Sequence, residues 1–365
     1  MGYEIDFLPV DAGERSGDAI ALRFGNLYPD YLNQWVTSQT VVVVDGGYQD
    51  AGTALVGHIQ KYYASDYVDL AVSTHPDANH VNGLRMVLEQ MRVGELFLHR
   101  PWLHAAEVAR MIGQGFTEVR VRELLRRSLE GARDLESLAI ARGVPITEPF
   151  TGITRFDGQL RVVGPSVAYY ESVLPWFRGM PAAAGTALRE REALLRKLSE
   201  LVTRVAESFN IETLDDTGET TAENNSGVIL HLALDGDRLL LTADTGIPAL
   251  TRAADHMDAL GISGAPLRFT QVPHHGSKRN VGPTILDRLL GAKNTQAPGS
   301  STGFVSASAE GAPKHPAKKV VNAFTRRGAH VVVTRGKTIC HYSGTPGRPG
   351  WVPVLPEPFY DEVEE

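Results

Sequence analysis

Polar clusters of histidine and aspartate that follow directly on predicted strands constrain the fold of this chain more than any other feature. Four valines at positions 41–44 run into Asp-Gly-Gly and predict a buried strand that ends in a tight turn. A helix is predicted over residues 51–63, and the next strand, VDLAVSTH, ends at His75. Strand, helix and strand in this order indicate a βαβ unit, in which functional groups gather at the C-terminal ends of the strands. The sequence therefore predicts an α/β protein.

Several of these clusters contain the residue types that bind metal ions. One loop carries a histidine, a carboxylate two residues later and a second histidine, so that alternate side chains can face the same side. Together the candidate metal ligands among these residue types are His75, Asp77, His80, Asp244, His274 and His275. Mixed sets of His and Asp bind divalent metals and leave positions open for water. Ser277 and His315 also follow predicted strands and are candidates for an additional site.

Composition excludes several other classes of protein. The chain has 365 residues, of which 42% are hydrophobic, and a formal net charge of −7. A single cysteine, Cys340, excludes a disulfide framework and a cysteine-built zinc site. The negative charge argues against a protein that binds nucleic acid over its whole surface, although a metal ion can neutralise a phosphate locally. No apolar run approaches the roughly 20 residues of a membrane span, and the start lacks a secretory signal. We therefore expect a cytoplasmic protein without membrane contact.

Two long helical stretches are predicted, at about residues 105–142 and 186–209. Four arginines in the first stretch are Arg120, Arg122, Arg126 and Arg127. Because glutamates alternate with them, we interpret this pattern as a solvated helix face and not as a nucleic-acid patch. The second stretch has one apolar stripe, which is expected to cover the core or a partner helix. Both halves of the chain show paired strands followed by strand-and-helix units, which indicates a two-sheet sandwich with outer helices.

Short motifs along nearly the whole chain support a resemblance to a known family. In chain order they are Asp11, Gly13, Gly17, Asp18 and Ala19; Asp45, Gly46 and Gly47; His75, Asp77 and His80; Asn224 or Asn225 with Ser226; Leu240, Leu241, Thr242 and Asp244; the run from Val272 to Ser277; and His315 with Pro316. With these motifs the chain resembles the metallo-β-lactamase-fold hydrolases. It is most similar to the soluble hydrolase domain of ComEC-type DNA-uptake proteins and its free-standing relatives. The resemblance implies an αββα sandwich formed as one domain over residues 1–365, with the two helical stretches as additions.

The resemblance also implies a role for each candidate ligand. Asp244 would bridge two metal positions, Asp77 and His80 would be direct ligands, and His75 and Asn79 would complete or orient the set. His275, or its neighbour His274, would close the site from the opposite side. The cofactor would be one or two divalent ions of zinc or manganese.

Two departures from the family pattern bear on metal occupancy. Asn79 stands where the family has an Asp, and an amide oxygen is a weaker ligand than a carboxylate. No third histidine of the lactamase type is evident, because the corresponding strand ends in Gly-Pro-Ser at residues 164–166. A single metal, or a weak second one, is therefore expected.

By the same resemblance, the expected function is metal-dependent hydrolysis by a phosphodiesterase or nuclease, with a phosphodiester or nucleic acid as substrate. Asp77, Asp244 and His275 are the expected catalytic residues. One alternative is a degenerate hydrolase that binds a ligand or a protein partner without turnover, which Asn79 favours. Another is a lactone or β-lactam hydrolase, against which the missing third histidine counts.

Overall fold

Two seven-stranded sheets form the centre of the protein. The computed structural model describes residues 1–10, 16–27, 38–113, 115–180, 204–264, 266–309 and 315–364. The first sheet contains, in spatial order, β17 (Ile339–Ser343), β1 (Gly2–Phe7), β2 (Ala19–Asn26), β3 (Ser38–Gly46), β5 (Leu70–Val72), β7 (Leu96–Phe97) and β8 (Ile146–Thr147). The second contains β16 (Ala329–Val333), β15 (Ser301–Val305), β14 (Phe269–Gln271), β13 (Asp237–Leu241), β12 (Ile229–Leu234), β10 (Leu160–Gly164) and β9 (Thr154–Arg155). Two small pairs join β4 (Tyr67–Val68) to β6 (Arg92–Val93) and β11 (Arg204–Ala206) to β18 (Glu362–Glu364).

Each large sheet has an antiparallel half and a parallel half. In the first sheet, β17, β1, β2 and β3 are antiparallel, and β3, β5, β7 and β8 are parallel. In the second, β9, β10, β12 and β13 are antiparallel, and β13 to β16 are parallel. Parallel neighbours end at the same edge of a sheet, so the polar clusters after β5, β13 and β14 can meet between the two sheets.

The tight turn between β12 and β13 is the one that Asp235-Gly236 predicts. The two strands pair from Leu230 with Leu241 to Leu234 with Asp237. Asp235 and Gly236 have φ values of 54° and 84°. A positive φ at both central residues is typical of the two-residue hairpin turn that matches strand twist. The turn brings β13 back beside β12 and places Asp244 at the end of the sheet.

Helices cover the outer faces of both sheets. They are Gln49–His58, continued by a π-helical turn at Ile59–Tyr63; Ala78–Val81; Leu84–Gln90; Ala105–Ile112; Glu118–Ser128; Glu130–Ala141; Val167–Val173; Ala222–Asn225; Ile247–Ala259; Pro283–Leu290; and Lys318–Arg326. Short 3-10 turns occupy Pro101–His104, Leu174–Trp176 and Pro273–Gly276. Within the described part of the chain, no helix combines the length and the apolar character needed to cross a membrane.

Buried side chains show a four-layer arrangement. In β3, Val42 and Val44 face the second sheet, while Val41 and Val43 face the helices outside the first sheet. Both faces of this strand are buried, which explains its unbroken run of valines. Between the sheets, Phe7 of β1 packs edge-on against a phenylalanine of β15, with ring centroids 5.4 Å apart. The predicted αββα sandwich is therefore confirmed.

The first helical stretch is present but divided. It forms three helices, at Ala105–Ile112, Glu118–Ser128 and Glu130–Ala141, which pack on the outer face of the first sheet. The second prediction, over 186–209, is wrong at its end. Residues 204–206 form β11, which pairs with β18 from the end of the chain. A distant strand partner overrides the helical pattern here, and residues 207–209 are not helical either. Residues 186–203 lie outside the described part of the chain.

Candidate metal centre

The first part of the centre is built where β3 and β5 end. Asp45, near the end of β3, has a left-handed φ of 56°. The Thr74 backbone N–H donates to Asp45 Oδ1 at 2.8 Å, and its hydroxyl donates to Oδ2 at 2.6 Å. His80 Nδ1 lies 2.8 Å from the same Oδ2. A carboxylate that accepts the Nδ1 proton of a histidine leaves Nε2 with a free lone pair, which is the form that binds a metal.

Asp244 is the point on which the histidines converge. It lies just after β13, and only 3% of it is exposed. Its Oδ2 is 3.4 Å from Nε2 of His80, 3.7 Å from that of His275, 3.8 Å from that of His274 and 3.9 Å from that of His75. Four imidazole Nε2 atoms, from the loops after β5 and β14, thus surround one carboxylate oxygen.

Several polar atoms at this point are buried without a hydrogen-bond partner among the described residues. They are the Nε2 atoms of His75, His80 and His275 and Oδ1 of Asp244. Leaving such an atom unsatisfied costs about 1–3 kcal/mol. One divalent cation would satisfy nitrogen lone pairs and a carboxylate oxygen together. The residues present therefore fit a divalent metal.

Two overlapping groups have ligand atoms within 4.8 Å of one another: Asp45 with His75 and His80, and His80 with Asp244 and His275. Both oxygens of Asp45 are already engaged: Oδ1 accepts from the Thr74 backbone N–H, and Oδ2 accepts from the Thr74 hydroxyl and contacts His80 Nδ1. We therefore assign Asp45 to positioning His80. The group with Asp244, joined by His75, is the better ligand set because the Nε2 atoms of its three histidines and Oδ1 of Asp244 lack hydrogen-bond partners among the described residues.

Left-handed backbone occurs repeatedly around the centre. Ala243, next to Asp244, has a φ of 50°, and His274 and His275 have φ values of 47° and 55°. Ala243 stands at the position where the resembled family has glycine, the residue that adopts this conformation without steric cost. Non-glycine residues in this region carry strain and cluster at functional sites. The sharp turns aim the side chains that follow β13 and β14 into the same space.

Buried amides hold the turn that carries Asp244. Gln271 Oε1 accepts from the backbone N–H groups of Thr242 and Ala243 at 3.0 and 2.9 Å, and its Nε2 donates to Asp18 Oδ2 at 2.8 Å. Asn280 Nδ2 donates to the backbone oxygen of Asp244 at 2.8 Å. Sequence reasoning did not assign roles to these residues. For Asp18 and Asp45 a signal existed, since both belong to motifs that carry the resemblance.

Burial and neighbouring charges set the protonation of the centre. Burial, with the charge of His80, lowers the pKa of His75 to about 3 and keeps it neutral, as a ligand must be. Burial opposes ionisation of Asp244, but the surrounding histidines outweigh it and hold the pKa of its carboxyl well below the usual range. Burial also disfavours a charged His80, yet Asp244 and Asp45 outweigh it and raise its pKa. The carboxylate at the middle is thus ionised at neutral pH.

Asp77 and Asn79 lie at the same loop but bond elsewhere. Asp77 Oδ2 is 4.0 Å from Nε2 of His75, while its Oδ1 accepts a 2.6 Å hydrogen bond from Arg178. Asn79 donates from Nδ2 to the backbone oxygen of Ser16 at 2.9 Å. Asp77 remains at the edge of the centre, and the Asn79 amide is tied to the loop before β2. Their roles as ligands stay predictions.

The other predicted residues lie around the turn after β14. His275 is 7% exposed and belongs to the second ligand group, whereas His274 is at the mouth with 32% of its side chain exposed. His274 Nδ1 lies 3.0 Å from the amide of Asn224. Ser277 accepts from the backbone N–H of Arg279 at 3.3 Å and is not in either ligand group. His315 is exposed and is also outside both groups.

The predicted arginine face is exposed at three of its four positions. Arg120, Arg122 and Arg127 are exposed, and Arg126 is half-buried, with its guanidinium over the ring of Trp102. Arg122 pairs with Glu118 on the same helix, and Arg126 lies 3.7 Å from Glu136. The exposure and the local ion pairs agree with a solvated face.

Comparison with known proteins gives structural likenesses only. No protein-family model matches the chain, and no curated protein matches it. A diphosphatase from the PhnP family is 12% identical with a TM-score of 0.40, over 94% of this chain and 98% of that one. The E377D mutant of the CmlA beta-hydroxylase is 10% identical with a TM-score of 0.40, and the match covers 93% of this chain and 53% of the hydroxylase chain. A metallo-beta-lactamase from Hirschia baltica is 11% identical with a TM-score of 0.33, and the match covers 79% of this chain and 91% of the lactamase chain. The chain is similar to these structures at a level that establishes neither a family nor an activity.

Proposed function

We propose that this protein is a metal-dependent hydrolase of phosphodiesters, related to the ComEC-type hydrolases, with nucleic acid among its substrates. The observation that carries the proposal is the convergence of four histidine Nε2 atoms within 3.9 Å of one Asp244 oxygen. Three of these nitrogens have no hydrogen-bond partner among the described residues. Such a set is suited to a metal and is poorly explained by packing alone.

The side chains divide into holding and positioning roles. His75, His80, His275 and Asp244 would hold the ion, and Asp45, whose Oδ2 lies 2.8 Å from His80 Nδ1, would accept the Nδ1 proton so that Nε2 can face the ion. A bound divalent metal supplies a Lewis acid and lowers the pKa of a coordinated water towards neutrality. Mixed nitrogen and oxygen ligands are compatible with zinc and with manganese.

The exposure of the side chains indicates how a substrate reaches the centre. His75, His80 and Asp244 are at most 3% exposed, whereas Asp77 and His274 have 26% and 32% of their side chains exposed. A substrate would therefore approach between Asp77 and His274. The buried wall on the other side keeps solvent away from the ligands, which strengthens electrostatic interactions with a bound phosphate.

The test combines metal analysis with hydrolysis of bis-nitrophenyl phosphate and single-stranded DNA in manganese or zinc. Wild type and the variants Asn79→Asp, Asn79→Ala and Asp244→Ala are compared. We expect at least one metal per wild-type chain and metal-dependent cleavage. Asp244→Ala should abolish both because it deletes the central carboxylate, while Asn79→Ala should retain metal. Metal content well below one per chain after reconstitution would refute the proposal.

Asn79→Asp distinguishes the hydrolase from a binding module without turnover. The hydrogen bond from the Asn79 amide to the backbone oxygen of Ser16 favours the binding module, because it shows the amide holding the loop before β2 and not a metal ion. A carboxylate cannot donate that bond, and its negative charge would favour a second ion nearby. We expect Asn79→Asp to bind metal more tightly and to cleave faster. Bound metal without cleavage in any variant would move the assignment to a binding module, and a panel of lactones and β-lactams tests the remaining alternative.

A further inference from the structure

Arg178 reaches the edge of the metal centre from a segment that sequence reasoning did not connect with it. It follows the 3-10 turn Leu174–Trp176, and its Nη2 donates to Asp77 Oδ1 at 2.6 Å. Its backbone N–H donates to Oε1 of Glu223 at 2.6 Å, and its Nε donates to the same oxygen at 3.4 Å. Glu223 is 2% exposed and adjoins Asn224, whose amide contacts His274. Two carboxylates therefore fix this guanidinium at the mouth.

The open side of the guanidinium faces solvent. Although its partners Asp77 and Glu223 have only 26% and 3% of their side chains exposed, 71% of the Arg178 side chain is exposed. A guanidinium has five N–H donors in a planar fork, and these contacts use one on Nη2 and the one on Nε. Nη1 has no hydrogen bond among the described residues. The unused donors thus belong to a mostly exposed side chain that is bonded to Asp77, one of the two residues at the mouth.

The negative charge of the centre suggests that Arg178 binds a ligand and does not only form a surface ion pair. Asp45, Asp77 and Asp244 place three carboxylates around the site, and their negative charges would repel an anionic substrate. Exposed ion pairs contribute little to stability, so the contact with Asp77 alone explains little. An arginine fork, in contrast, matches the oxygen atoms of a phosphate and binds them with charge-assisted hydrogen bonds.

We propose that Arg178 forms an anion-binding subsite that holds a phosphoryl oxygen of the substrate beside the metal centre. This inference rests on the proposed function and makes it more specific, because it requires a substrate that is anionic at the group that reacts. Glu223 is a positioning residue in this arrangement: it holds Nε and the Arg178 backbone so that the free donors face the mouth.

The test measures binding of inorganic phosphate by calorimetry to wild type and to Arg178→Gln and Arg178→Lys, each as purified and after loading with manganese. Arg92→Gln is the matched control. Arg92 also has 71% of its side chain exposed and also pairs with a carboxylate, that of Asp66, but it belongs to the separate small β4–β6 pair. We expect Arg178→Gln to weaken phosphate binding by about tenfold or more. Arg178→Lys should lose part of the affinity, and Arg92→Gln none.

Metal content and cleavage are measured on the same samples, so that the two proposals can fail separately. Equal phosphate affinity in wild type and Arg178→Gln would overturn the inference, whatever the hydrolysis. Loss of metal in Arg178→Gln without a change in phosphate affinity of the metal-free protein would also overturn it, since Arg178 would then act through Asp77. A wild type that binds phosphate through Arg178 but cleaves no phosphodiester would support the subsite and contradict the proposed function.

Discussion

Replacing Asp45 by Asn tests whether this carboxylate sets the tautomer of His80. The side chain is fully buried, with Oδ1 accepting from Thr74 and Oδ2 shared between the Thr74 hydroxyl and His80 Nδ1. The Asn side chain has the same shape, but an NH₂ group replaces one of the two carboxylate oxygens of Asp. If the oxygen stays on the Thr74 N–H, the NH₂ group faces His80 Nδ1 and donates to it. The imidazole must then carry its proton on Nε2, the atom that faces Asp244.

The size of the effect follows from the contacts that are lost. At least one hydrogen bond to a charged group disappears in either orientation of the amide, which costs about 1.5–3 kcal/mol of unfolding free energy. Loss of a partner that orients a metal-binding histidine lowers metal affinity by about 10- to 100-fold. We therefore expect Asp45→Asn to fold, to melt at a lower temperature and to bind manganese or zinc at least tenfold more weakly.

Metal titration by calorimetry and thermal unfolding without metal measure the two effects separately. Asp69→Asn is the control, because Asp69 accepts a backbone N–H bond from Val41 at 2.8 Å in the same sheet but precedes β5 at its other end. Asp69→Asn should change stability and leave metal affinity near the wild-type value. Wild-type metal affinity in Asp45→Asn would refute the tautomer argument, since a His80 protonated on Nε2 cannot be a ligand there.

Two further predictions concern charges away from the centre. If these arginines form a solvated face, replacing Arg120, Arg122, Arg126 and Arg127 together by Gln should leave DNA binding and its salt dependence unchanged. Each true phosphate contact contributes about 0.7–0.9 to the slope of log affinity against log salt concentration. A slope reduced by about three in the variant would therefore contradict the solvated-face interpretation. Burial opposes ionisation of Asp6, but His58 and Arg348 outweigh it and lower its pKa from 3.8 to about 2. Because the folded pKa is the lower one, this carboxylate stabilises the fold above pH 3.8 and the contribution is lost as pH falls towards 2. Arg348→Met should therefore raise the midpoint pH of acid unfolding, which circular dichroism measures. Arg335→Met, which removes an arginine with 56% of its side chain exposed, should not raise it. Equal midpoints in the two variants would show that Arg348 does not set this pKa.

The sequence by itself determined the layered fold and the places where polar side chains gather. Alternating valines of β3 face both core layers, and Asp235-Gly236 forms the expected turn, because apolar periodicity and turn chemistry act over a few neighbouring residues. The clusters after β5, β13 and β14 meet because the strands that carry them are buried and end at adjoining edges. This much is encoded locally and by the order of elements.

Helix prediction failed where a long-range partner decided the structure. The apolar stripe at 186–209 includes Val205, but that residue pairs with Val363 in β11 and β18. Strand pairing across such a separation leaves no periodic signal at either end, because the hydrogen-bond partner is supplied by folding.

Only the tertiary structure decided which hydrogen-bond partners the side chains of the centre have, and therefore which of their atoms are left for a metal ion. Asp45 contacts His80 across 35 positions of the chain, and Arg178 reaches Asp77 across 101. Asn79, which the motif alone presents as a weakened ligand, donates its amide to Ser16. A hydrogen bond depends on distance and direction between two groups, so the tautomer of a histidine or the partner of a carboxylate is settled when distant segments pack together.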